Sequence, residues 1–164
     1  MLKLEPFTSK DISTLLKWLE GTDNRFLFQF AGSKYQFPLS EKQLIETIDS
    51  DDYIPLKLID LVNNKILGHC QFLRVNHVES SASIGRLLIN PEYRNKGFGT
   101  IMLKEMISYS KNVLIVKKLE LRVFEFNKNA LKCYSKIGFT IKSEELIYIK
   151  EFNVSWKCIT MVKV

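Results

Sequence analysis

Apolar residues recur at helical spacing in "SKDISTLLKWLEG", where Ile12, Leu15, Leu16 and Leu19 share a side, Ser9 stands as an N-cap and Gly21 as a stop. "SEKQLIETIDS" repeats the scheme: Ser40 and Gln43 are at capping-box spacing, and Leu44, Ile45 and Ile48 form the buried face. An aromatic-rich stretch, "RFLFQFAGSKYQFP", lies between these two helices. The pattern elsewhere is β-like. "KLEPF" reads as a short first strand, and residues 54–62 and 65–75 are apolar and β-branched around the turn signal "NNK", an antiparallel hairpin. "SASIGRLLIN" is a further strand ended by Pro91. The glycines after it lead into the helix "FGTIMLKEMISYSKNV", then the strand "KKLELRVF" and the shorter helix "NKNALKCYSKIGF", closed by Gly138. "ELIYI" and "SWKCITMVKV", separated by "KEFN", read as a final hairpin. Helices and strands interleave, with hairpins at either end, which predicts a mixed α/β sheet, partly antiparallel.

The length of 164 residues suits one domain, residues 1–164, with a core of its own. Composition is that of an ordinary folded chain, at 46% hydrophobic and 26% charged, without repeats or low-complexity tracts. The start, "MLKLEPFTSKD", has no signal-peptide h-region, and no apolar run approaches bilayer length, so a cytoplasmic protein without membrane partners is expected. Cys70, Cys133 and Cys158 are widely spaced and read as free thiols, and no His/Cys/Asp set suggests a metal. The net charge of +6 favours anionic partners. Positive residues are spread along the chain apart from Arg94 with Lys96 and the pair Lys117 and Lys118, a pattern that fits one discrete anion site better than a nucleic-acid stripe.

That site is legible in "NPEYRNKGFGTIML". A strand, a glycine turn and a helix N-terminus together offer unpaired N–H groups and the positive end of a helix dipole, and the peptide N–H groups of residues 95–100 are placed to converge on a pyrophosphate. Arg94 and Lys96 add charge at the rim. A Walker loop is excluded because Gly99 precedes Thr100 with no lysine between. A dinucleotide fingerprint is excluded because Met102 occupies the position of the third glycine.

"RNKGFG" instead fits Arg/Gln-x-x-Gly-x-Gly/Ala, and downstream "NKNALKCYSKIGF" carries Asn127, Ala130, Tyr134, Gly138 and Phe139 at the spacing Asn-x-x-Ala-x-x-x-Tyr-x-x-x-Gly-Phe. With both motifs in order, the chain resembles the GNAT superfamily of acyl-CoA N-acyltransferases, and "PFTSKDISTLLKWLE" and "YQFPLSEKQL" resemble its branch of ribosomal-protein N-terminal and spermidine acetyltransferases. The resemblance implies a central mixed, mostly antiparallel, twisted sheet flanked by about four helices. It also implies acetyl-CoA as cosubstrate. The coenzyme A pyrophosphate would lie over Arg94, Asn95, Lys96, Gly97, Phe98, Gly99 and Thr100, and the pantetheine against Leu87, Leu88 and Ile89. Asn127 and Ala130 would contact the cofactor, with Tyr134 facing the sulfur.

Acyl transfer from a thioester requires an uncharged amine, a donor for the developing oxyanion and an acid for the departing thiolate. A backbone N–H of Leu87, Leu88 or Ile89 suits the second role. Tyr134 suits the third, on the same helix face as Asn127 and Ala130. No residue presents itself clearly as the base: Ser83 stands where related enzymes often carry a carboxylate, and Glu79 acting through water is weighed against a solvated turn residue. His69 and His77 read as ordinary strand or turn histidines. Cys133 is offset from Tyr134 by about 100° around the helix and reads as core rather than as an acyl-enzyme nucleophile. Trp18, Phe26, Phe28, Phe30, Tyr35 and Phe37 read either as an acceptor pocket or as helix-to-sheet packing. Asp49, Asp51 and Asp52 read as a solvated helix end rather than a polyamine site.

The sequence therefore predicts an acetyl-CoA-dependent N-acetyltransferase acting directly on a primary amine of a small molecule or a protein N-terminus. The alternative is a non-catalytic acyl-CoA-binding sensor or partner module. The final strand is a candidate exposed edge, and pairing through it would give a homodimer.

Overall fold

The computed structural model describes residues 1–164. Seven strands, β1 (Leu2–Pro6), β2 (Ile54–Asp60), β3 (Lys65–Asn76), β4 (Ser81–Ile89), β5 (Lys118–Phe124), β6 (Thr140–Ile149) and β7 (Val154–Lys163), form one sheet in the order β1-β2-β3-β4-β5-β7-β6. All neighbours are antiparallel except β4 and β5. The helices are α1 (Ile12–Trp18), α2 (Asn24–Ala31), α3 (Glu41–Ile48), α4 (Phe98–Asn112) and α5 (Lys128–Lys136). No helix is long and apolar enough to cross a membrane.

The expected mixed α/β architecture is present with two differences. The aromatic stretch after Gly21 holds an additional helix, α2. Asp23 starts it by accepting from Phe26 N–H at 2.9 Å, and Gly32, at φ 61°, ends it. The exposed edge is β6 rather than β7, because the last strand inserts between β5 and β6.

Two apolar cores lie on opposite faces of the sheet. The larger gathers Leu56, Leu58 and Phe72 of the sheet with Met102 and Met106 of α4 and Tyr134 of α5. Gly68 permits the close approach of α4, since a Cβ there would stand 2.8 Å from the Met102 sulfur. The smaller core packs Leu15, Leu27 and Leu44 of α1, α2 and α3 with Leu88. At its margin Asp11 caps its own turn by accepting from Thr8 N–H at 2.8 Å and pairs with Lys57, also at 2.8 Å.

The β3–β4 register slips beside Cys70. Gln71 faces Gly85 while His69 faces Leu88, so Arg86 and Leu87 together oppose one residue. Arg86 takes φ 52° in this bulge. Before the bulge Ala82 and Ile84 belong to the α4 core; after it Leu87 and Ile89 do, and Leu88 joins the other core. Unbroken alternation would have sent Arg86 into the apolar α4 side, and the extra residue turns it away.

Candidate active site

Beside this bulge the sheet opens. β4 and β5 pair only from Ser81 with Lys118 to Ile84 with Leu121, and beyond that point they diverge. Asn90 donates its N–H to Leu67 O at 2.9 Å. Since N–H directions alternate along a strand, Leu88 faces β3, and the N–H groups of Leu87 and Ile89 face the gap left by β5. A cleft of about 1160 Å³ fills the gap. Every residue assigned above to the cofactor lines it except Lys96 and Thr100. Lys96 bends back, donating to Glu92 O at 3.2 Å and lying over the Tyr93 ring. The Thr100 hydroxyl lies 3.3 Å from the Cys133 sulfur, which ties α4 to α5.

The loop at the cleft's end is built by backbone conformation. Pro91 to Tyr93 make a short turn capped by Asn90, whose Oδ1 accepts from Glu92 N–H at 3.1 Å. Asn95 and Gly97 then take positive φ, 60° and 84°, and α4 begins at Phe98. The first helical bond is Ile101 N–H to Gly97 O at 3.2 Å. The N–H groups of residues 95–100 donate to no backbone or side-chain acceptor. Such a run of free donors at a helix N-terminus fits a pyrophosphate. Replacing Gly97 by Ala is expected to cost about 1–2 kcal/mol, the strain of a Cβ in left-handed backbone, with a lowered thermal midpoint as the readout.

Tyr134 lines the cleft from α5 and is 9% exposed. Asn127 caps that helix, its Oδ1 accepting from Ala130 N–H at 3.3 Å. The Tyr134 hydroxyl has no protein hydrogen-bond partner, yet no unpartnered buried polar side-chain atom exists, so its oxygen opens to the cleft. Burial, with a smaller contribution from Cys133, pushes its pKa well above the usual tyrosine range. The group stays protonated at any physiological pH.

Glu79 is exposed in the β3–β4 turn, away from the cleft, and His77 likewise lies outside it. Ser83 does line it, paired with Glu120 of β5, the cleft's single carboxylate, which Lys142 holds at 3.0 Å. Of the early aromatics, Phe26, Phe28 and Phe30 line the cleft, Trp18 and Tyr35 belong to the smaller core, and Phe37 is exposed. No group of His, Cys, Asp and Glu is disposed to hold a metal.

Sequence reasoning did not single out Arg86, which lines the cleft beside Leu87 and is 8% exposed. Its Nη1 donates to Gln71 Oε1 at 2.7 Å; Gln71 Nε2 lies 3.3 Å from His69 Nε2; and His69 Nδ1 lies 2.9 Å from Arg86 O. A carbonyl can only accept, so the His69 proton sits on Nδ1, Nε2 accepts from Gln71, and the chain closes on Arg86. Burial, opposed by the Arg86 carbonyl, lowers the His69 pKa to about 4 and keeps the ring neutral, as this order of donors requires. The only signal in the sequence is an arginine inside an apolar strand.

The model of the Acetyltransferase (GNAT) family matches residues 16–139. Acetyltransferase PseH of Campylobacter jejuni (strain 81-176) is 31% identical over 148 residues, covering 88% of each chain. Spermidine N(1)-acetyltransferase of Escherichia coli K12 is 28% identical over 141 residues, covering 80% of this chain and 75% of that protein. In fold, the chain is similar to a solved spermidine N-acetyltransferase from Vibrio cholerae, in complex with CoA and spermine, with a TM-score of 0.81, 20% identity and coverage of 99% and 94%. The splayed strands, the free-donor loop and the family match agree: the chain belongs to the GNAT acetyltransferase family and is an acetyl-CoA-dependent N-acetyltransferase.

Proposed function

We propose that the enzyme acts in the cytoplasm and acetylates, by direct transfer, a primary amine of a small molecule or a protein N-terminus that enters between α2 and β4. The run of free N–H donors from residue 95 to 100 carries the reading, because nothing in the protein uses them and a pyrophosphate would.

Acetyl-CoA supplies the acetyl thioester. The loop from Arg94 to Thr100 holds the pyrophosphate, with charge from Arg94. Leu87, Leu88 and Ile89 offer the pantetheine an open strand edge, and Asn127 and Ala130 hold the start of α5 against it. The Leu87 N–H, directed into the gap, takes the negative charge that develops on the carbonyl oxygen. As the amine nitrogen bonds the acetyl carbon and the carbon–sulfur bond breaks, Tyr134 gives its proton to the sulfur and regains one from solvent. Glu120 is held by Lys142, so the amine loses its proton to water. Two-fold association belongs to the same reading. Its pairing edge is β6, with exposed Ile141, Leu146 and Tyr148.

Two measurements test this. Acetyl-CoA at about 100 times its Kd should stabilise the protein by about 2.7 kcal/mol, seen as a raised thermal midpoint. Thiol release with a panel of amines should then show turnover; an acetyl-CoA complex that releases no thiol with any amine would be a binding module instead.

A further inference from the structure

Arg86 is a buried cation without a counter-ion. None of the protein's ion pairs includes it. Gln71 satisfies one of its five N–H donors, and because no buried side-chain nitrogen lacks a partner, the nitrogens left free are accessible from the cavities that Arg86 lines, the cleft and its neighbour. Its guanidinium lies 5.2 Å from the Tyr35 ring centre and 4.6 Å from that of Tyr53. Tyr35 is itself fixed, its hydroxyl 2.7 Å from Thr47 Oγ1. Lys34 Nζ stands 4.9 Å from the centre of the same Tyr53 ring, so two cations pack on one aromatic ring, and neither has a carboxylate partner.

A guanidinium is withdrawn from water at a cost that an opposite charge ordinarily offsets. Here the protein supplies none. Asp51 and Asp52 are exposed and line the neighbouring cavity of about 710 Å³, into which Arg86 and Arg74 also reach, but neither pairs with Arg86. Within the main cleft, Glu120 is bound to Lys142 and Arg122 to Glu145, which leaves Lys34, Arg74 and Arg86 as the free charge of the acceptor end. The bulge aims Arg86 there, and the bonds through Gln71 and His69 hold it. Arg86 directly precedes Leu87, whose N–H faces the gap, so both residues belong to the same wall of the cleft.

We propose that Arg86, flanked by Lys34, binds an anionic group of the acceptor, and that the enzyme acetylates a compact primary amine bearing a carboxylate or phosphate rather than a polyamine. This rests on the acetyl-transfer reading of the same cleft.

The test uses the whole protein saturated with coenzyme A and titrated calorimetrically with matched amines: an α-amino acid against its amide, O-phosphoethanolamine against ethanolamine, and spermidine. The same compounds are followed by thiol release with acetyl-CoA. The anionic member of one pair should bind and turn over about tenfold or more better than its uncharged partner and than spermidine, and the responding pair tells carboxylate from phosphate. Arg86→Gln should remove that preference through KM and leave acetyl-CoA affinity within about twofold. Arg86→Lys, which keeps the charge without the fork, should retain part of it and covers a Gln variant that fails to fold. Equal or better use of the uncharged amines or spermidine by the wild type overturns the inference and leaves acetyl transfer intact; so does a preference that survives Arg86→Gln. Anion-selective binding without thiol release from any amine sustains the anion site and overturns direct transfer.

Discussion

Tyr134→Phe is expected to lower kcat by about 10²–10⁴-fold while acetyl-CoA affinity stays within about twofold, measured by thiol release beside calorimetry. The hydroxyl has no partner in the protein, so its removal strands no buried polar group and the variant should fold with near wild-type stability. Burial holds the phenol proton beyond the usual tyrosine range, so the proposed acid is in its protonated form at every pH where the protein works. Turnover should therefore rise with pH as the amine deprotonates, with no falling limb below about pH 10. The Phe variant should show the same rising limb on a lower plateau. Retention of full turnover would remove Tyr134 from the chemistry.

The parts of this site that the sequence discloses are those written in local chemistry. The helix that follows Gly97 and the shorter one that Asn127 opens are punctuated by glycine, proline and Asn, whose conformational limits act within a few residues. The motif spacing then placed Asn127, Ala130 and Tyr134 on one cleft wall with the loop from Arg94 to Gly99. The helix at Asn24–Ala31 carries its own signals, Asp23 and Gly32, but its run of phenylalanines hides the period of a helix. Other features depend on partners far along the chain. Both strands of the final hairpin carry apolar residues, and their pairing, with the last strand against β5, sets β6 as the edge. The bulge at Arg86 is invisible in "SASIGRLLIN", because the extra residue exists only relative to the register of β3. With it went the orientation of Arg86, the role of Gln71 and the reason His69 is neutral.

His69 carries the second large effect, an acid sensitivity whose sign follows from its burial. The folded ring has a pKa of about 4 against an ordinary 6.5, so the unfolded chain binds the extra proton first as pH falls. Stability is fully present above about pH 6.5 and is lost as pH falls toward 4, by about 3 kcal/mol in all. Urea unfolding at pH 7.5 and at pH 4.5 should show that loss, and His69→Gln, which cannot titrate there, should show a slope shallower by about the same amount. Parallel curves would mean that the ring is already solvated or charged. The consequence reaches the acceptor end of the cleft. A proton on Nε2 turns the acceptor of the Gln71 amide into a second donor, so Gln71 must offer its Oε1 to the imidazolium instead of to Arg86. The guanidinium then loses its bond to Gln71 and gains a like charge beside it.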